Sequence, residues 1–107
     1  MATRWAVSAV LVALALGGCS GASLQENLED EEVMAAFRQA ARISGTELSD
    51  KELDDVARRL CEGWADGEND AELATRVAQD AGIPVGLMSG IANAANRTVC
   101  PDTDRRR

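Results

Sequence analysis

Two patterns of apolar residues divide this chain. From Trp5 to Leu16 the residues run almost without a polar group, whereas from Glu29 onward apolar positions recur every three or four residues. The second pattern is that of helices burying one face. Val33, Met34, Phe37, Ala40 and Ala41 form a first stripe, behind the acidic run Glu29-Asp30-Glu31-Glu32, which suits the positive end of a helix dipole, and Gly45 closes it. Ser49-Asp50-Lys51-Glu52 reads as a capping box opening a second helix, with Leu53, Val56, Ala57, Leu60, Cys61 and Trp64 along one side as far as Gly67. Asn69-Asp70-Ala71-Glu72 caps a third, with Leu73, Val77 and Ala81 inward and Gly82 as its stop. Pro84 suits the first position of a fourth, whose buried face is Val85, Met88, Ile91, Ala92, Ala95 and Val99. No stretch alternates as a strand would. The expectation is therefore all-α: a small four-helix domain over residues 29–101, followed by a charged, disordered tail over 102–107.

The first apolar pattern has a different meaning. About a dozen residues are too few for a membrane-crossing helix, which needs about 20, yet behind the positive Arg4 they have the layout of an export signal. Leu16-Gly17-Gly18-Cys19 resembles the bacterial lipobox, which places a thiol for acylation before the signal is cut away. The expectation is a signal peptide over 1–18 and a lipidated tether over 19–28, short, small and polar, with Cys19 anchored to the extracytoplasmic side of the cell membrane. The alternative is an ordinary signal cut at a small-residue site, with Cys19 left free or paired. Two acyl chains such as palmitate hold a protein stably, each buried CH₂ contributing about 0.8 kcal/mol.

The chain has three Cys. If Cys19 carries lipid, Cys61 and Cys100 remain, and two thiols in an exported chain oxidise to one another. Linking them closes a loop of about 40 residues, worth roughly 4 kcal/mol in the chain-entropy model. A core this small, with one Phe and one Trp after the signal, needs such a staple.

Charge and composition narrow the chemistry. The chain of 107 residues carries 11 basic and 18 acidic side chains, net −7, and no His. Removing residues 1–18 takes Arg4 away and leaves 89 residues (107 − 18) at 10 − 18 = −8. A nucleic-acid footprint is absent, as are the usual proton shuttle and the commonest nitrogen ligand for metals. Nucleophilic catalysis lacks a base. The acids are accounted for locally, with Asp54 and Arg58, Asp55 and Arg59, and Glu72 and Arg76 spaced for i, i+4 pairs, so no catalytic residue is assigned. Asp66-Gly67-Glu68-Asn69-Asp70 alternates oxygen ligands, but an EF-hand counted from Asp66 would put Ala71 where Gly belongs and Val77 where Glu belongs. Zinc would have two thiols and no His, and haem only Met88, so neither metal nor cofactor is expected.

Phe37, Gly45, the Leu60-Cys61 pair, Gly67 and an Ala-rich last helix ending in Cys100-Pro101 resemble the domain of unknown function 732 family, small exported helical proteins of actinobacteria. The likeness covers about residues 31–101. That family commonly has an aromatic residue before the last Cys, where this chain has Val99. The resemblance implies a disulfide-stapled helical protein of the cell envelope and brings no activity with it.

One motif remains. Gly82, Gly86, Gly90 and Ala94 recur every fourth residue, and each Gly inside a helix costs about 1 kcal/mol against Ala. Either the stripe lets a neighbouring helix approach closely, or it forms, with Trp64, an interaction face. Trp64 itself reads as a core or rim residue before a ligand anchor. Arg105-Arg106-Arg107 reads as a solvated tail. The functional expectation is a non-enzymatic envelope lipoprotein whose domain binds an envelope protein or a small apolar ligand. The alternatives are a structural surface protein without specific ligand and, last, a cryptic carboxylate enzyme. Sequence alone leaves the oligomeric state open.

Overall fold

The computed structural model describes residues 19–103. The signal expected over 1–18 and the Arg105-Arg106-Arg107 terminus lie outside the described residues. Among those described there are five helices and no strand: α1 Cys19–Glu29, α2 Glu31–Ile43, α3 Asp50–Ala65, α4 Asp70–Ala81 and α5 Val85–Thr98. The all-α expectation holds, and the count of four does not. The additional element is α1, which takes the place of the expected polar tether over 19–28. Its sequence gives little reason for a helix, being small and polar apart from Leu24 and Leu28, four residues apart. Those two pack against the core, so tertiary contact supplies what propensity lacks.

The other helices begin where the capping chemistry places them. Asp30 is the cap of α2, its carboxylate accepting from the Glu32 and Val33 amides at 2.9 and 3.3 Å, so Glu29 ends α1 and does not open α2. Ser49 and Glu52 close the reciprocal box on α3, at 3.2 Å (Glu52 amide to Ser49 Oγ) and 2.9 Å (Ser49 amide to Glu52 Oε1). Asn69 accepts from the Glu72 amide at 3.0 Å at the start of α4. Pro84 stands one residue earlier than expected, at the cap position of α5, which has no side-chain capping bond.

Gly45, Gly67 and Gly82, past the ends of α2, α3 and α4, lie in the left-handed region, and the last two close their helices with a doubled bond. Gly67 has φ 85° and Gly82 φ 72°. Each is followed by a residue whose amide reaches back five positions, Glu68 to Gly63 and Ile83 to Ala78, both at 3.0 Å, the double bonding of a Schellman motif. The Asp66 to Asp70 segment, whose spacing suggested calcium, is thus a helix stop followed at once by a helix start.

The helices close on a core in which Trp64, Phe37, Leu53, Leu60, Leu73 and Met88 are the largest buried side chains. Ser44, at the end of α2, lies against Gly90 of α5, while Asn27, before α2, binds the Val99 carbonyl at the far end of α5 at 2.8 Å. The two helices therefore run antiparallel. α4 packs on α3 and α5, and α1 on α2 and α3.

Candidate functional site

Of the residues singled out by sequence, the cysteine pair is brought together. Cys61 on α3 and Cys100 just after α5 form a disulfide with Cα atoms 6.0 Å apart, and both are buried. The spacing is within the usual range for a native bridge. Cys100 sits beneath a polar lid: Asn96 Nδ2 donates to the carbonyls of Cys100 and Thr103, each at 3.0 Å, holding the turn after α5 against the helix. Cys19, the third cysteine, is the first residue of α1.

Trp64 is not on any face. It is 2% exposed, and its indole Nε1 donates to Asp70 Oδ1 at 2.9 Å, tying the end of α3 to the first turn of α4. A buried indole with its one donor satisfied is a core anchor. The glycine stripe divides into three environments. Gly82 is the α4 stop. A Cβ on Gly86 would meet nothing within 4 Å, whereas one on Gly90 would lie 2.6 Å from the Ser44 Cβ. Ala94 is buried. Close packing therefore explains Gly90 and Ala94, and neither Gly86 nor Gly82 touches a neighbouring helix through this face. The interaction face expected of Gly86, Gly90 and Trp64 is not a single surface.

A further close approach had no place in the sequence reading. A Cβ on Gly63 of α3 would fall 2.6 and 2.8 Å from the two Leu73 methyl carbons, so α3 and α4 meet at a glycine. The signal was available: Gly63 interrupts the strongest amphipathic helix at a cost of about 1 kcal/mol, which calls for a packing reason.

The ion pairs also differ from expectation. None of the three expected i, i+4 pairs forms among the described residues. Arg38 of α2 instead bridges both Asp54 oxygens on α3, at 2.8 and 2.6 Å, and reaches Glu31 at 2.8 Å. These partners, Asp54 foremost, hold its guanidinium above the ordinary arginine pKa. Arg59 pairs with Asp80 of α4, Arg76 with Glu68, and Arg58 with Asp55 and Glu62. Arg38 and Arg59, at the seams, reach acids on the facing helix, which local spacing does not register. Among the described residues the Arg38 to Asp54 pair has the parallel two-bond geometry that makes such contacts strong.

A groove of about 290 Å³ between α3 and α4 is rimmed by Lys51, Glu52, Asp55, Arg59 and Asp80. A second depression lies along Glu72, Thr75, Arg76 and Gln79 of α4. Among the described residues two large apolar side chains are exposed: Ile43 at 84% and Val85 at 48%. Val85 was expected inward, but at the first residue of α5 it lies beyond the contact that begins at Met88. Ile43 falls off the Met34, Phe37, Ala41 stripe, and its exposure was legible there. Among the described residues no group of three or more acids and cysteines could hold a metal ion, and no helix is long and apolar enough to cross a membrane.

Among the described residues the geometry is that of an all-helical domain stapled by the Cys61 to Cys100 disulfide. No protein-family model, curated protein or solved structure matches the chain.

Proposed function

We propose that this is a non-enzymatic lipoprotein of the cell envelope, exported, acylated at Cys19 and held to the membrane with its helical domain on the extracytoplasmic side. The observation that supports this is the pairing of Cys61 with Cys100, which leaves Cys19 as the odd thiol at the one position where a lipobox-like quartet follows an apolar signal. Buried disulfides belong to oxidising compartments. Assignment to the domain of unknown function 732 family is part of the same proposal and rests on the cysteine spacing and the terminal Cys100-Pro101.

The domain's task in this reading is to bind another envelope protein. The two described depressions are open and bordered by charged side chains, a shape that suits a protein surface better than an enclosed small ligand. Several acids are engaged by arginines, Asp54, Asp80 and Glu68 among them, which favours a structural role for these carboxylates over acid–base chemistry. Cross-linking in intact producing cells, followed by pulldown, tests the reading against a Cys19→Ala control. A discrete partner captured by the wild type and lost in the control is the expected result. Diffuse neighbours in both would overturn specific binding, and a wild-type protein of unmodified mass outside the membrane fraction would overturn the anchor.

A further inference from the structure

The last two turns of α1 are not a leash. Leu24 and Leu28 pack against the core, and the Asn27 side-chain amide donates to the Val99 carbonyl at 2.8 Å, beside the disulfide. Among the described side chains, packing begins at Leu24. If the chain is anchored at Cys19, as in the function proposed above, on which this inference rests, at most residues 19–23 separate the lipid from the body. Five residues reach at most about 17 Å fully extended, and less when helical, as they are in α1. A free ten-residue tether would instead leave the domain to tumble over an average span of about 17 Å and an extended reach near twice that.

We propose that α1 is a docked pedestal that seats one edge of the domain on the lipid headgroups and turns α4 away from them. Among the described residues α1 packs on α2 and α3 and not on α4, which packs against α3 and α5. The edge toward the bilayer is therefore the one carrying α1 and Gln25, while the outer face of α4, with Glu72, Arg76 and Gln79, is presented to the envelope space. The posture is imposed by the covalent anchor and not by attraction, because a body of net charge −8 (10 − 18) is repelled by anionic headgroups. A mobile tether under that repulsion would hold the domain off the surface with no preferred face.

The test uses the lipidated protein purified from membranes, with a fluorophore on Gln25→Cys or on Gln79→Cys; Cys61 and Cys100 are paired and buried and do not compete for label. Each is reconstituted into phosphatidylethanolamine and phosphatidylglycerol vesicles containing a lipid with a nitroxide headgroup. The expected result is quenching several-fold stronger at position 25 than at 79. The double variant Leu24→Ser, Leu28→Ser, with its helix content checked by circular dichroism, should lose that difference. Asn27→Ala, a milder change, should reduce it. Equal quenching at both positions in vesicle-bound protein with α1 unaltered overturns the pedestal and leaves the anchor intact. Protein that fails to co-sediment with vesicles and has the mass of an unacylated chain overturns the anchor, and the pedestal with it.

Discussion

α3 and α5 lie at the centre of this domain and are joined by the Cys61 to Cys100 bridge, yet their helical order has opposite origins. α3 is specified by its own residues: a reciprocal capping box at Ser49 and Glu52, a Schellman stop at Gly67, and a long apolar stripe between them. α5 has no side-chain cap, begins after Pro84, and contains Gly86 and Gly90. It is a helix because Met88, Ile91, Ala92 and Ala95 find a core and because its end is bonded to α3. In a small domain, one helix that forms readily can serve as the template for another that would not.

Cutting the bond between them should have the largest effect. Cys100→Ser frees a loop spanning 39 residues, and the chain-entropy model assigns such a closure about 4 kcal/mol. Against a total near 5–15 kcal/mol this is a large share. The expected outcome is a drop in Tm on the order of 20 °C, at about 4–8 °C per kcal/mol for a domain of this size. Hydrogen exchange resolves which helix suffers: amides of α5 should lose protection more than those of α3. Equal loss in both helices would remove the distinction drawn between them.

That asymmetry also decides what the sequence makes legible. The ends of α2, α3 and α4 are marked by residues acting on neighbours three to five positions away, and Asp30, Ser49, Asn69, Gly67 and Gly82 do what their local chemistry requires. α1 was not legible because its only apolar residues, Leu24 and Leu28, mean nothing until a core exists to receive them. The same holds for the ion pairs. Arg38 meets Asp54 across sixteen residues of chain, a contact that no periodicity encodes. The two glycines that matter for packing are visible as anomalies, but Gly90 becomes meaningful only through Ser44, on another helix. The pairing of Cys61 and Cys100, although non-local, could be read because counting left no other combination once Cys19 was set aside.

Gly90→Ala tests the dependence of α5 on its neighbour. The new Cβ would lie 2.6 Å from the Cβ of Ser44, an atom next to the backbone that cannot swing away. Overpacking of this kind costs about 1–3 kcal/mol, offset by about 1 kcal/mol of improved helix propensity. A net loss of up to about 2 kcal/mol in urea melts is expected. The double variant Gly90→Ala, Ser44→Gly should recover most of it, which a general weakening of α5 would not allow.

Ser49→Ala tests the opposite, self-contained character of α3, and should cost about 1 kcal/mol through the lost cap. The box also sets a pH dependence. The Ser49 backbone amide, and secondarily its hydroxyl, hold the Glu52 carboxyl below its ordinary pKa. A carboxyl depressed in the folded state stabilises it above the unfolded pKa, and that contribution fades as pH falls through the lower, folded value. Wild type should therefore lose stability on acidification below pH ~4.5 more steeply than Glu52→Gln, as thermal melts across that range would show.

Gly86→Ala should have the smallest effect, and with the opposite sign. Its Cβ meets nothing within 4 Å, and the residue is exposed near the start of a helix with no cap of its own. Replacing Gly where the backbone is already helical removes freedom from the unfolded chain and should add about 0.5 kcal/mol. The stabilisation should appear in the wild type and, undiminished, in the Cys100→Ser variant, because the gain is local and owes nothing to α3. A loss of stability would mean that the first turn of α5 has a contact of its own, and α5 would then be less dependent on its partner than its sequence implies.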